Sequence, residues 1–115
     1  MSLTEFATNW INDWNSHDFE KILSHYSDDL EITTPMIKIA LGSETGTLKG
    51  KITVANYWQA ALKKFPDLHF ELIEVTESVN SVAIYYKSVM NKRAIEVMFF
   101  NDQGKVNKMI AFYTS

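Results

Sequence analysis

Apolar residues recur every three or four positions at the start of this chain. Leu3, Phe6, Ala7, Trp10 and Trp14 share one face of a helix predicted from about Thr4 to Asn15, and two tryptophans one turn apart make that face broad and aromatic. After a turn at Asn15-Ser16-His17, Asp18 suits the N-terminus of a second helix, with Phe19, Ile22, Leu23 and Tyr26 as its buried stripe. Ser27-Asp28-Asp29 is expected to stop it as a solvated loop. Leu30 to Thr34 then reads as a short strand closed by Pro35, which lacks a ladder donor and biases Thr34 toward extended backbone. Met36 to Lys51 contains Gly42, Gly46 and Gly50 and reads as a loop, with a short strand around Ile37 to Leu41. The helical period returns with Val54, Tyr57, Trp58, Ala61, Leu62 and Phe65, and Phe65-Pro66-Asp67 ends it. Beyond it the period changes to two. Leu68 to Thr76, Ser81 to Met90, Ala94 to Phe100 and Lys105 to Tyr113 read as strands joined by polar turns. Three helices followed by consecutive hairpins predict an α+β fold, the helices packed in a curved, mainly antiparallel sheet.

At 115 residues the chain is expected to be one domain, spanning 1–115. Folding at that length buries roughly two-thirds of the unfolded surface, so no covalent staple is needed. There is no cysteine, which excludes disulfides, thiolate zinc sites and cysteine nucleophiles. Eleven Lys and Arg against 14 Asp and Glu leave a mildly acidic chain without a basic block, so no nucleic-acid partner is expected. Met1 to Trp10 lacks the pattern of a signal peptide and no stretch is apolar enough to span a bilayer; the expectation is a soluble cytoplasmic protein with no membrane partner.

Candidate chemistry is sparse. Gly46-Thr47-Leu48-Lys49-Gly50 lacks the spacing of a phosphate-binding loop. His17, His25 and His69 have no partner at metal-ligand spacing, so no metal is expected. The informative residue is Glu96, a single acid inside Ala94-Ile95-Glu96-Val97-Met98-Phe99-Phe100. Its face carries Ala94, Met98 and Phe100, and the opposite face carries the equally apolar Ile95, Val97 and Phe99, so alternation alone leaves Glu96 either in solvent or in a cavity. In a cavity its pKa would rise, and only that case serves acid–base chemistry.

The order helix, helix, short strand, helix and four-stranded meander resembles the SnoaL-like branch of the nuclear transport factor two superfamily, which includes ketosteroid isomerase. The resemblance rests on Trp10 to Trp14, on His17-Asp18-Phe19-Glu20-Lys21-Ile22-Leu23 with Tyr26-Ser27-Asp28-Asp29, on Gly46 to Phe70 with Phe65-Pro66-Asp67-Leu68, and on Phe100-Asn101-Asp102-Gln103-Gly104-Lys105-Val106. It implies a cone-shaped α+β barrel with Glu96 inside the cone. In that frame Glu96 falls where ketosteroid isomerases have a neutral acid that donates to the developing oxyanion. Trp10 falls on their oxyanion tyrosine and Thr34 on their proton-abstracting aspartate. Thr34 has no useful basicity, so the isomerase mechanism does not carry over whole. The Arg and Asp constellation of related epoxide hydrolases is also unmatched, Arg93 being the only arginine.

The resemblance implies a pocket for a small apolar or aromatic molecule, with Glu96 as candidate acid or base. Trp10, Trp14, Thr34, Tyr57, Trp58, Met98, Met109 and Tyr113 are the expected binding residues, and no cofactor is implied. Isomerase, cyclase or dehydratase chemistry would follow, with a non-catalytic carrier or sensor and a dimerisation module as alternatives. The apolar outer face at Ile95, Val97 and Phe99, aided by Tyr85 and Val89, predicts a homodimer.

Overall fold

The computed structural model describes residues 2–114. Among the described residues, four α-helices and six strands follow in the order α1 (Leu3–Ser16), α2 (Phe19–Leu23), β1 (Tyr26–Thr33), α3 (Pro35–Leu41), β2 (Thr47–Lys49), α4 (Lys51–Lys64), β3 (Glu71–Ser78), β4 (Ser81–Lys87), β5 (Arg93–Phe100) and β6 (Val106–Tyr113), with a single 3-10 turn at Val89–Asn91 between β4 and β5. The strands form one curved sheet in the order β2-β1-β6-β5-β4-β3. All neighbours are antiparallel except β1 and β6, which run parallel. The α+β class and the mainly antiparallel sheet are as the sequence predicts. Among the described residues, no helix is long and apolar enough to cross a membrane.

Local chemistry explains the boundaries. Ser2 caps α1 by accepting from the Glu5 N–H at 3.1 Å, and His17, in a left-handed conformation, ends it with its own N–H on the Trp14 carbonyl. Asp18 caps α2 through the Lys21 N–H. Three expectations change. The second helix stops at Leu23, and Tyr26 is the first residue of β1. Ser27-Asp28-Asp29 belongs to that strand rather than to a loop; its pairing with β6 is irregular between Tyr26 and Glu31, which lets these polar residues face outward. The stretch read as a loop with a strand at Ile37 to Leu41 is a fourth helix followed by the short β2. Thr34 is its N-cap, accepting from the Met36 N–H at 3.1 Å, Pro35 is its first residue, and left-handed Gly42 ends it.

The core lies between the concave face of the sheet and helices α1 and α4. Trp10, Ile22, Tyr26, Leu30, Ile32, Ile84, Tyr86 and Met98 are fully buried there. Burial of an aliphatic or aromatic side chain of this kind stabilises by roughly 1.5–3 kcal/mol. The end of α1 also clamps the approach to β3. Asn15 donates to the Phe70 carbonyl at 2.9 Å and accepts from the Phe70 N–H at 2.6 Å, while the His17 ring meets the Leu68 carbonyl at 2.8 Å. These bonds hold the segment before β3 against α1, and so aim the buried Leu68 and Phe70 into the interior.

Candidate functional site

Glu96 sits in the middle of β5, paired with Ile84 on β4 and Ala111 on β6. Period-two alternation sends Ala94, Glu96 and Met98 to the concave face and Ile95, Val97 and Phe99 to the convex one. Glu96 is 5 % exposed. Small residues give it room: Ala111 stands opposite it, and Ala94 stands opposite both Tyr86 and Tyr113. Tyr86 lies diagonally across the β4–β5 ladder, a separation that a phenol can span, and its hydroxyl donates to Glu96 Oε1 at 2.7 Å. The second oxygen, Oε2, is buried and makes no hydrogen bond among the described residues.

Burial pushes the Glu96 pKa from 4.5 up to about 7, and the bond from Tyr86 pulls it back only in part. Near neutral pH the group is therefore divided between acid and carboxylate. Because Tyr86 occupies Oε1, the proton of the neutral form belongs on Oε2. Four phenols respond to the site: Tyr26, Tyr57, Tyr86 and Tyr113 are all raised above their usual value, first by burial and then by the Glu96 charge. The bond to Trp10 pulls the other way at Tyr26. These phenols stay neutral donors across the physiological range. The Tyr113 hydroxyl borders the same cavity as those of Tyr86 and Thr34.

Glu96 and these phenols line a cavity of about 90 Å³. Trp10, Trp14, Thr34, Tyr57, Trp58, Met109 and Tyr113 border it together with Glu96. Met98 does not; it is wholly buried in the core beside the site. Trp10 is less available than the resemblance implies, because its indole N–H is already given to the Tyr26 hydroxyl at 2.8 Å. Trp14 Nε1 is close enough to lower the Tyr26 pKa but makes no well-aligned bond among the described residues. Thr34 is engaged as the α3 cap. Sequence reasoning missed Tyr26, Phe70, Tyr86 and Ser88, which also border the cavity. Tyr86 and Ser88 fall in the predicted strand Ser81 to Met90, but which acid Tyr86 meets depends on cross-strand register.

Rings pack one another into a wall. Trp10 stacks on Phe70 at 5.8 Å and meets Tyr86 edge-on at 5.3 Å, and Trp14 meets Trp58 edge-on at 5.3 Å. The histidines lie outside it. His25 pairs with Asp13 at 2.6 Å, His17 serves the clamp on Leu68, and His69 is exposed.

The sequence matches the SnoaL-like domain over residues 7–114. The chain belongs to the SnoaL-like family. Its fold is that of the nuclear transport factor two superfamily. A SnoaL-like protein of unknown function from Burkholderia thailandensis is 43% identical, with a TM-score of 0.95 over 97% of this chain and 93% of that one. Two more distant structures share the fold alone. One is IdmH from Streptomyces antibioticus, provisionally described as a polyketide cyclase, at 15% identity and TM-score 0.80 over 98% of this chain and 92% of that one. The other is a protein from Agrobacterium tumefaciens, provisionally described as an isomerase of the SnoaL-like family, at 16% identity and TM-score 0.77 over 97% of each chain. No curated protein matches the sequence significantly.

Proposed function

We propose that this SnoaL-like protein binds a small molecule in the cavity and exchanges a proton with it through Glu96. The observation that carries the reading is a buried carboxyl with one oxygen held by Tyr86 and the other unbonded, at the wall of an aromatic cavity. A pKa of about 7 puts both protonation states at hand near neutral pH, which is where general acid–base catalysis is most effective. In the neutral form Oε2 donates to a carbonyl oxygen; in the ionised form it accepts a proton from carbon or oxygen. Tyr86 fixes the carboxyl, and the Tyr113 and Thr34 hydroxyls border the same cavity. Two relatives in fold described as a cyclase and an isomerase fit such chemistry by analogy. Cyclohex-2-enone in D₂O provides the test, with exchange of its enolisable protons followed by NMR. Wild type should speed the exchange and Glu96→Gln should not. Binding without exchange would make the protein a carrier, and neither binding nor exchange would remove the reading.

The same reading includes a homodimer through the convex sheet face. Ile95 is 40%, Phe99 38% and Phe112 53% exposed there, and Ile95 and Phe112 are direct cross-strand partners. An apolar patch spread over two strands is what a second copy would cover. Light scattering should give about twice the chain mass at micromolar concentration, shifted toward monomer by Val97→Glu. A wild-type monomer would contradict it.

A further inference from the structure

The cavity wall is divided by chemistry. Oxygen comes from the sheet side, where Thr34 ends β1, Tyr86 and Ser88 lie at the end of β4, Glu96 lies on β5 and Tyr113 on β6. The helix side is mainly carbon, with Trp10 and Trp14 from α1 and Trp58, Ala61 and the adjoining Phe65 from α4; its polar groups are the Tyr57 hydroxyl and the Trp14 N–H. From the reading of this cavity as a binding site, we propose that its ligand is a molecule of a single ring without negative charge, bearing oxygen along one edge.

Three observations support each part. The first is size: an engineered cavity of about 150 Å³ is the room that accepts benzene, and this one, at about 90 Å³ and open at its mouth, is smaller. A single ring therefore enters with one edge toward Glu96 and the rest in the mouth, beside half-buried Met36, Phe65 and Val89, and a fused second ring would lie outside it. The second is charge. Among the described residues no Lys, Arg or His lines the cavity, so an anion would enter a desolvated site facing Glu96 with no counter-charge. The third is the oxygen-bearing edge itself. Glu96 Oε2 is buried without a hydrogen bond among the described residues, so a hydrocarbon would leave it unpartnered, whereas a ligand hydroxyl on that edge matches it.

The test titrates protein carrying ¹³C-labelled glutamate and ¹⁵N-labelled tryptophan with catechol, benzoate and the three-ring phenol 9-phenanthrol. Catechol should bind saturably, moving both the Glu96 carboxyl signal and the cavity indole signals. The other two should bind at least about tenfold more weakly. Ala61→Leu, which fills the cavity from α4, should weaken catechol by about tenfold or more while leaving the fold intact. Equal or tighter binding of 9-phenanthrol that moves Glu96 would overturn the size limit yet leave the Glu96-anchored site standing. Benzoate binding as well as catechol would overturn the exclusion of an anion. Catechol binding that leaves the Glu96 carboxyl unmoved would instead remove the proposed function, and no saturable binding of catechol would overturn this inference.

Discussion

Replacing Glu96 by Gln should make the protein more stable at neutral and higher pH, and should make no such difference in acid. The folded-state pKa is raised from 4.5 to about 7, chiefly by burial, so the folded protein holds the proton more tightly than the unfolded chain does. The stability this contributes is full below about pH 4.5, declines as pH rises through the interval, and is lost above about pH 7. At about 1.4 kcal/mol per pH unit separating the two values, the full loss is about 3 kcal/mol. Gln keeps an oxygen for the Tyr86 hydroxyl and cannot ionise. Its amide nitrogen replaces the unbonded Oε2 with an unbonded donor, a penalty of about 1 kcal/mol that the neutral acid's own O–H matches at low pH. Urea unfolding of both proteins from pH 4.5 to pH 8 should therefore show curves that meet in acid and separate by about 2–3 kcal/mol at pH 8, Gln above. In thermal unfolding the gap is about 10 °C for a domain of this size. Taking the difference between the two proteins cancels every other titrating group. A difference independent of pH would refute the reasoning, because it would mean that Glu96 ionises in the folded state as easily as in water.

Tyr86→Phe should raise the Glu96 pKa further, since the bond from Tyr86 is what lowers it; a ¹³C titration of the variant that gives an unchanged or lower value would contradict the pairing. Met90→Asn should stabilise by about 1 kcal/mol in urea unfolding, because Met90 is held at φ 56° beside left-handed Asn91 in the β4–β5 turn, and Asn tolerates that backbone better. Gly46→Ala should destabilise by about 2 kcal/mol, because Gly46 has φ +67° and an added Cβ would come within 2.9 Å of the Thr34 carbonyl oxygen at the cavity edge. Unchanged stability in that variant would mean that the Gly46 backbone can relax away from Thr34.

The parts legible in sequence were those with a clean period. The aromatic stripe of α1, the stripe of α4 and the alternation of the last four strands each have a single buried face, so periodicity locates them. α3 was missed because Ile37 is its one buried residue while Ile39 and Leu41 are exposed, which leaves no stripe to find. The start of β1 was missed because the irregular β1–β6 pairing turns Ser27, Asp28 and Asp29 outward in succession. A signal for α3 was present in Thr34-Pro35 and Gly42, the residues that begin and end it. In the site, alternation fixed which residues share a face with Glu96 but not whether that face lies inside. Tyr86 reaches Glu96 through the register of β4 against β5, and Trp10 is drawn to Tyr26 across α1 and β1. Contacts between elements of this kind have no local pattern. Met98 shows the converse: it shares the face with Glu96, yet the packing seals it beneath the cavity wall.

The central claim is that Glu96 is a buried acid poised near neutral pH. The most direct measurement is a ¹³C NMR titration of its carboxyl carbon from pH 3 to pH 9, assigned by loss of the signal in Glu96→Gln. The structure predicts a midpoint at about 7. A midpoint at the ordinary 4.5 would place the carboxyl in contact with water and contradict the account of the site.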